Sequence, residues 1–382
     1  MPIESDDHES PSNAAAAMGN NRVVGTAITP CTSPNDASTD ALCSHLAALA
    51  AHYQSPSDWP APSLDACAAA GVFRWFLPQS RGGFQWSEAD QVRGYLRLAA
   101  ADLTTTFVIT QFIGACKRIA TSDNGYPRER YLGELLQGKR FATVGISHLT
   151  TSSQHLQAPV LRAEIEGDGF RLNGMSPWVT GASKADVIVL AATLKDGRQL
   201  LASVPTTRQG IACGPGVELV ALSASCTDRV TLQDVRVDPE MLIAGPMPDV
   251  MRSGFGAGTG GLQTSTLAAG LSRAAVDYLL GEAEKRHELR AIATQLDQQT
   301  NSLCDSLIQA ASGQACDAGE LRGQANRLVM RTTQTAMTAA KGAGYVATHP
   351  VGRWCREALF FLVWSCPQPV AQEHMCELAG IE

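Results

Sequence analysis

From Thr39 onward apolar residues recur at helical spacing. Leu42, Leu46, Leu49 and Tyr53 line one face of a predicted helix. A second, shorter helix is predicted over 64–70 and stops at Gly71. The run from Phe73 to Pro78 reads as an extended apolar segment leading into a tight loop at Arg81-Gly82-Gly83. Ser87, with Asp90 three residues on, makes a capping box for a helix reaching about Ala101. The next helix, 104–121, carries Val108, Phe112, Ala115 and Ile119 on one face, and Pro127 takes the first turn of a helix that ends before Gly138.

At Phe141 the period changes from helical to alternating. Residues 162–166, the turn Gly167-Asp168-Gly169 and 170–173 predict a hairpin, and 185–194 with 199–204 repeat it around Lys195-Asp196-Gly197-Arg198. Further strands are predicted at 217–222 and 228–237. Beyond Gly254 the helical pattern returns in 262–288, 291–311, 319–341, 350–364 and 370–379. The predicted class is α+β and mostly helical: a disordered leader over 1–38, rich in Ser, Pro, Asn and Asp; a helical domain over 39–140; an antiparallel, barrel-like β domain over 141–252; and a four-helix bundle over 253–382.

Composition narrows the class of partner. Lys and Arg number 30 against 37 Asp and Glu, a net charge of -7 with no basic block, which argues against nucleic acid or an anionic membrane as main partner. The eleven cysteines are scattered and contain no Cys-x-x-Cys, so neither a disulfide framework nor a metal site is expected. A reduced, cytoplasmic protein fits, with no basic-then-apolar signal at the start and no apolar run long enough to span a bilayer.

Two stretches carry candidate chemistry. Gly256-Ala257-Gly258-Thr259-Gly260-Gly261 fits the spacing of a dinucleotide fingerprint, but Pro246-Met247-Pro248 before it is loop, and the fingerprint needs a strand there. Asn173 to Ala182 sets an indole, Trp178, and a hydroxyl, Thr180, two residues apart. In an extended strand both would face the same way and could cover and hydrogen-bond one flat ligand. A half-buried sheet edge explains that short stretch equally well.

The order of helical block, β block bearing Pro177-Trp178-Val179-Thr180-Gly181, and helical block resembles the acyl-CoA dehydrogenase flavoprotein family. So do Gly71-Val72-Phe73 to Pro78 with Gly82-Gly83, and Asp168 to Gly174 before the Trp. The resemblance covers nearly everything from Thr39 and implies FAD as cofactor, with Trp178 beside the flavin and Thr180 at its N5 edge. The loop Gly145-Ile146-Ser147-His148 to Ser153 stands where the family has Thr-Glu-Pro and a later Ser. Ile146, Ser147 and Ser153 are therefore implied cofactor contacts, and His148 replaces the Glu. Arg286 matches the Arg that reaches the flavin diphosphate of a neighbouring subunit, which implies a homodimer or homotetramer. Gly342 and Gly344 match a Gly-rich cofactor loop, and Glu357 takes the place of an Asp and reads as an ion-pair partner.

The resemblance breaks at the catalytic position. Where the family has Tyr-Glu-Gly-Thr, this chain has Trp364-Ser365-Cys366-Pro367, so Ser365 replaces the base, and the alternative base position near 258–263 holds no acid. A neutral serine is a poor base near neutral pH. Three accounts remain open: an oxidoreductase on an acyl thioester or carrier-bound substrate with Ser365 and another group such as His148 at the catalytic position; a flavin-dependent monooxygenase of the same fold; or a catalytically silent flavin or acyl binder. The electron acceptor or flavin reductase stays open with them. Cys366 reads as a buried inert thiol, since His374 lies eight residues away.

Overall fold

The computed structural model describes residues 29–150, 159–252 and 262–381. Four helices open the described chain: α1 (Ala37–Leu49), α2 (Ala61–Ala69), α3 (Glu88–Ala101) and α4 (Leu103–Thr121). Ser87 caps α3 as its spacing predicts, its side chain accepting from the Asp90 amide. Asp102 caps α4 by accepting from the Thr105 amide. Short turns follow in α5 (Gly125–Pro127), a π turn over Arg128–Leu132 and α6 (Gly133–Leu136).

Two expectations in this region are corrected. Residues 29–36 were assigned to a leader, yet Cys31 is fully buried and its amide donates to Ala70 O. The apolar segment at 73–78 is not extended. It starts in a 3-10 turn at Val72–Arg74 and doubles back, so that the Phe84 and Trp86 amides donate to Arg74 O and Trp75 O. Gly71 and Gly82, both at positive φ, supply the reversals. The fold-back stacks Trp75 on Trp86 at 4.1 Å.

The middle of the chain is an eight-stranded sheet among the described residues. Its strands are β1 (Ala142–Gly145), β2 (Leu161–Glu166), β3 (Gly169–Val179), β4 (Val187–Leu194), β5 (Gln199–Pro205), β6 (Ile211–Cys213), β7 (Asp228–Val237) and β8 (Leu242–Met247), with a single helical turn, α7 (Ser147–Thr150), after β1. The order is β6-β7-β3-β2-β4-β5-β8, and β1 also pairs with β4. The expected antiparallel sheet is in fact mixed, because β1 and β2 both run parallel to β4. The strand expected at 217–222 is loop, and β6 pairs with β7 instead. Leu222 there sits at φ 63°, which no strand allows.

β4 explains how the sheet joins the helices. Val187, Val189 and Ala191 enter the helical core, whereas Ile188, Leu190 and Ala192 enter the sheet's own core. Buried on both faces, the strand reads as a continuous apolar run.

The C-terminal helices are α8 (Leu262–Lys285), α9 (Arg290–Ala311), α10 (Ala318–Gly344), α11 (Pro350–Ala358) and α12 (Gln368–Ala379). The helix predicted over 350–364 ends early in a 3-10 turn at Leu359–Leu362. The Gly-rich stretch at 342–344 is not a loop but the last turn of α10, beyond a break at Lys341 (φ 53°, ψ -143°). α8 lies against α3 at Gly270, where a Cβ would meet Leu96 O at 2.6 Å and the Ala99 Cβ at 2.7 Å. Gly270→Leu is therefore expected to force the two helices apart and cost about 1–3 kcal/mol in chemical denaturation; an unchanged denaturation midpoint would contradict this packing.

Candidate flavin-type cavity

A cavity of about 580 Å³ opens between α4, the sheet and the segment after α11. From α4 come Phe107, Thr110, Gln111, Gly114 and Arg118, which fall on one face at steps of three and four residues. The sheet side supplies Val144, Ile146, Ser147, Trp178, Thr180 and Thr227. The third wall is Arg356, Leu359, Phe360, Val363, Trp364 and Ser365, with Gln263 and Thr264 from the start of α8.

Trp178 reaches this cavity by a local irregularity. The β3–β7 register shifts between Ser176 and Val179, and Trp178 itself has φ 54°. The bulge turns its ring outward, 58% exposed, while Val179 is fully buried and Thr180 is 2% exposed. Both Trp178 and Thr180 line the cavity, although the simple strand alternation expected from sequence is not what puts them there. Thr180 Oγ1 lies 3.0 Å from Thr227 Oγ1, which is 2.8 Å from Ser225 Oγ. Ser147 Oγ donates to Pro177 O at 2.7 Å and ties α7 to the bulge.

Aromatic packing closes the opposite wall. Phe360 stacks on Trp364 at 4.9 Å, and Phe107 meets both rings edge-on at 4.8 and 5.0 Å. Arg322, from α10, donates through Nη2 to Phe361 O and Trp364 O and so fixes the backbone that presents Ser365. Ser365 occupies the left-handed region at φ 46°.

The wall carries two guanidinium groups, Arg118 and Arg356, and among the described residues lining it none is Asp, Glu or His. Burial pulls Arg118 down to about 10, which still leaves it charged at neutral pH; its Nη1 donates to Gly114 O at 2.9 Å. The local field therefore favours an anionic ligand.

His148 is not on this wall. It is buried beside β4, with Nε2 2.9 Å from Ala191 O, and burial holds its pKa below the ordinary value. Its proposed role as base is corrected accordingly: the ring faces the sheet, not the cavity. Ser153 and the 256–261 glycines lie outside the described residues.

No family model matches the sequence. Among curated proteins, the chain is 23% identical to the probable acyl-CoA dehydrogenase YngJ of Bacillus subtilis (strain 168), over 60% of this chain and 66% of that one. It is also 23% identical to glutaryl-CoA dehydrogenase of Desulfococcus multivorans, over 75% of this chain and 80% of that one. The match spans a little under two thirds of YngJ and 61% of the rat short-chain specific enzyme. Among solved structures, FkbI, for biosynthesis of the methoxymalonyl extender unit of FK520, superposes with a TM-score of 0.75 at 19% identity, covering 89% of this chain and 99% of that one. A glutaryl-CoA dehydrogenase complexed with glutaryl-CoA gives 0.74 at 17%, covering 91% and 96%. The chain is thus similar in sequence to acyl-CoA dehydrogenases and shares the fold of their solved structures. FMN-bound TdsC from Paenibacillus sp. A11-2 also shares the fold, with a TM-score of 0.71 at 15% identity over 88% of this chain and 94% of that one.

Among the residues that the acyl-CoA dehydrogenase resemblance implicates, the structure gathers Ile146, Ser147, Trp178, Thr180 and Ser365 round one cavity. It leaves Arg286, Gly342 and Gly344 off that wall. Arg286 Nη2 donates to Ala339 O at 2.9 Å, beside Glu282 at 3.6 Å, so its guanidinium joins α8 to α10. Thr227, Thr264, Arg118 and Arg356 were not anticipated. A signal for the α4 group was available, since Phe107, Thr110, Gln111, Gly114 and Arg118 make a polar-lined stripe on an otherwise apolar helix.

Behind the wall sits a buried acidic pair. Glu357 is 2% exposed and 3.5 Å from Arg353, and Asp102 is 3% exposed. Burial pushes Glu357 up to about 7, against the pull of Arg353 and with the help of Asp102. The folded chain thus holds a proton on Glu357 that the unfolded chain releases near the ordinary value of 4.5. Folded protein binds more protons in that window, so stability falls as pH rises from about 4.5 to 7. The thermal midpoint should decline from pH 5 to pH 7.5, and Glu357→Gln should flatten that decline; identical slopes for both proteins would refute the assignment.

Proposed function

We propose that this chain is an FAD-dependent oxidoreductase of the acyl-CoA dehydrogenase type, with the flavin in the cavity beside Trp178 and an acyl thioester or carrier-bound acyl group as substrate. The observation that carries this reading is the convergence of Trp178, Thr180 and Ser147 from the sheet with Ser365 from the helical side on one cavity. The donor set fits the group: an exposed indole face for a flat ring, hydroxyls of Ser147, Thr180 and Thr227 for a polar edge, and two cations for negative charge. When bound, a flavin supplies a two-electron acceptor at its N5 position.

The chain's own groups then have separate tasks. Trp178 covers the ring, and the linked Thr180 and Thr227 hydroxyls orient its polar edge. Phe107, Phe360 and Trp364 exclude water from the facing side. Arg118 and Arg356 offset negative charge on the ligands. Adenine-dinucleotide binding is supported by the resemblance of Arg286, Gly342 and Gly344 to family positions near the cofactor diphosphate or adenosine, and the resemblance of Arg286 to one that serves a neighbouring subunit makes a homodimer or homotetramer part of the proposal.

The wall offers no carboxylate or imidazole to remove an acyl α-proton. That observation favours a second reading, a flavin monooxygenase, which needs no such base; TdsC, a dibenzothiophene monooxygenase, shares this fold.

Purified protein mixed with FAD should turn yellow, and Trp178→Ala should weaken binding at least tenfold and shift the flavin absorbance; unchanged affinity and spectrum would contradict the placement. Under anaerobic conditions, Ser365→Glu should accelerate bleaching of the bound flavin by a panel of acyl-CoA thioesters by about 10²-fold or more, the usual contribution of a positioned general base. If flavin stays bound and no gain appears, while chemically reduced flavin yields product with dioxygen, the monooxygenase reading replaces the first.

A further inference from the structure

Under the segment that presents Ser365 lies a second polar cluster. Arg322 is 2% exposed, and only its Nη2 is engaged, on Phe361 O and Trp364 O. Its Nε and Nη1 have no hydrogen-bond partner, and among the described residues no carboxylate pairs with it. Asn326, 1% exposed, donates through Nδ2 to Cys366 Sγ at 3.8 Å, and its Oδ1 is unpartnered. The group that faces the Arg322 charge is the Cys366 thiol.

A buried guanidinium with unused N–H groups is costly, and an acceptor oxygen set against them relieves that cost. We propose that Cys366 is an oxidation site of this chain: a thiol beside Arg322 and Asn326 that hydroperoxide converts to a sulfenic acid. The attacking sulfur forms an S–O bond as the peroxide O–O bond breaks. Sulfur loses two electrons, the peroxide is reduced, and the leaving hydroxide takes up the proton that the thiol gives up, through solvent, to become water. The new oxygen is an acceptor for the unused Arg322 N–H groups and for the Asn326 amide. Cys366 is half-buried, so a molecule the size of hydrogen peroxide can reach it. Because residue 366 follows Ser365 and Trp364, its oxidation state acts on the cavity wall. The inference does not depend on a flavin in the cavity.

Cys316 is the exposed cysteine and serves as the internal control. The full chain is treated with micromolar hydrogen peroxide in the presence of dimedone, and the labelled cysteines are located by peptide mass spectrometry. Cys366 should be labelled at least tenfold faster than Cys316. Asn326→Asp, which sets a carboxylate against the sulfur, should slow Cys366 labelling tenfold or more and leave Cys316 unchanged. Arg322→Lys, which keeps a charge but loses the planar fork, should give an intermediate rate. Asn326→Asp, which spares the Arg322 clamp, keeps the test valid should Arg322→Lys fail to fold. Labelling of Cys316 as fast as Cys366, or an Asn326→Asp rate equal to wild type, overturns the proposal.

Discussion

The arrangement depends on α4 being enclosed. Fifteen of its nineteen residues are buried, so it has no broad solvent face on which to place polar groups. Its hydroxyls are satisfied within the helix: Thr106 Oγ1 donates to Asp102 O at 2.7 Å and Thr110 Oγ1 to Phe107 O at 2.6 Å. Asp102 answers the first amides of the helix, and its carboxylate also accepts from the Thr105 hydroxyl. Thr110, Gln111 and Arg118 of α4 line the cavity. A helix that belongs to the core on one side thereby forms the floor of a site on the other.

The sheet meets that helix through strands with two apolar faces. β1 and β4 send alternate residues into the helical core, and β4 returns the others to the sheet's own core. A one-residue slip of β4 would exchange these sets, and both cores would lose their fit. With β1 fixed, the chain leaving it at Ile146 and Ser147 is fixed too, and Ser147 is hydrogen-bonded to the bulge that presents Trp178. The sheet side of the cavity is thus a consequence of strand register.

Much of this was legible in the residues. The helices of the C-terminal half follow their apolar periods, and the hairpin at Gly167-Asp168 follows from its turn chemistry. That Trp178 and Thr180 share a cavity does not follow from strand alternation: the bulge and the left-handed backbone at Trp178 depend on pairing with β7, nearly fifty residues on. Thr227 became visible as a site residue only through the same pairing. The mixed character of the sheet was hidden for a related reason, because parallel pairing of β1 and β2 with β4 is set by crossovers and leaves no mark on local composition. The stretch at 217–222 has strand-like residues, and Gly216 at φ 112° with Leu222 at φ 63° overrides them.

The position of residue 365 can be separated from its chemistry. Arg322 binds the carbonyl oxygens of Phe361 and Trp364, and the Phe107–Phe360–Trp364 packing holds the neighbouring rings. None of these contacts involves the side chain at 365, although its left-handed backbone at φ 46° favours residues that tolerate that region. Of two buried carboxyls, neither of which lines the cavity, Glu357 lies 3.5 Å from Arg353 and Asp102 accepts from the Thr105 amide. Turning Glu357 into the cavity would unpair Arg353 in a buried setting, which costs several kcal/mol. The backbone at 365 is therefore held by contacts from its neighbours, while Glu357 stays with Arg353 and does not line the cavity.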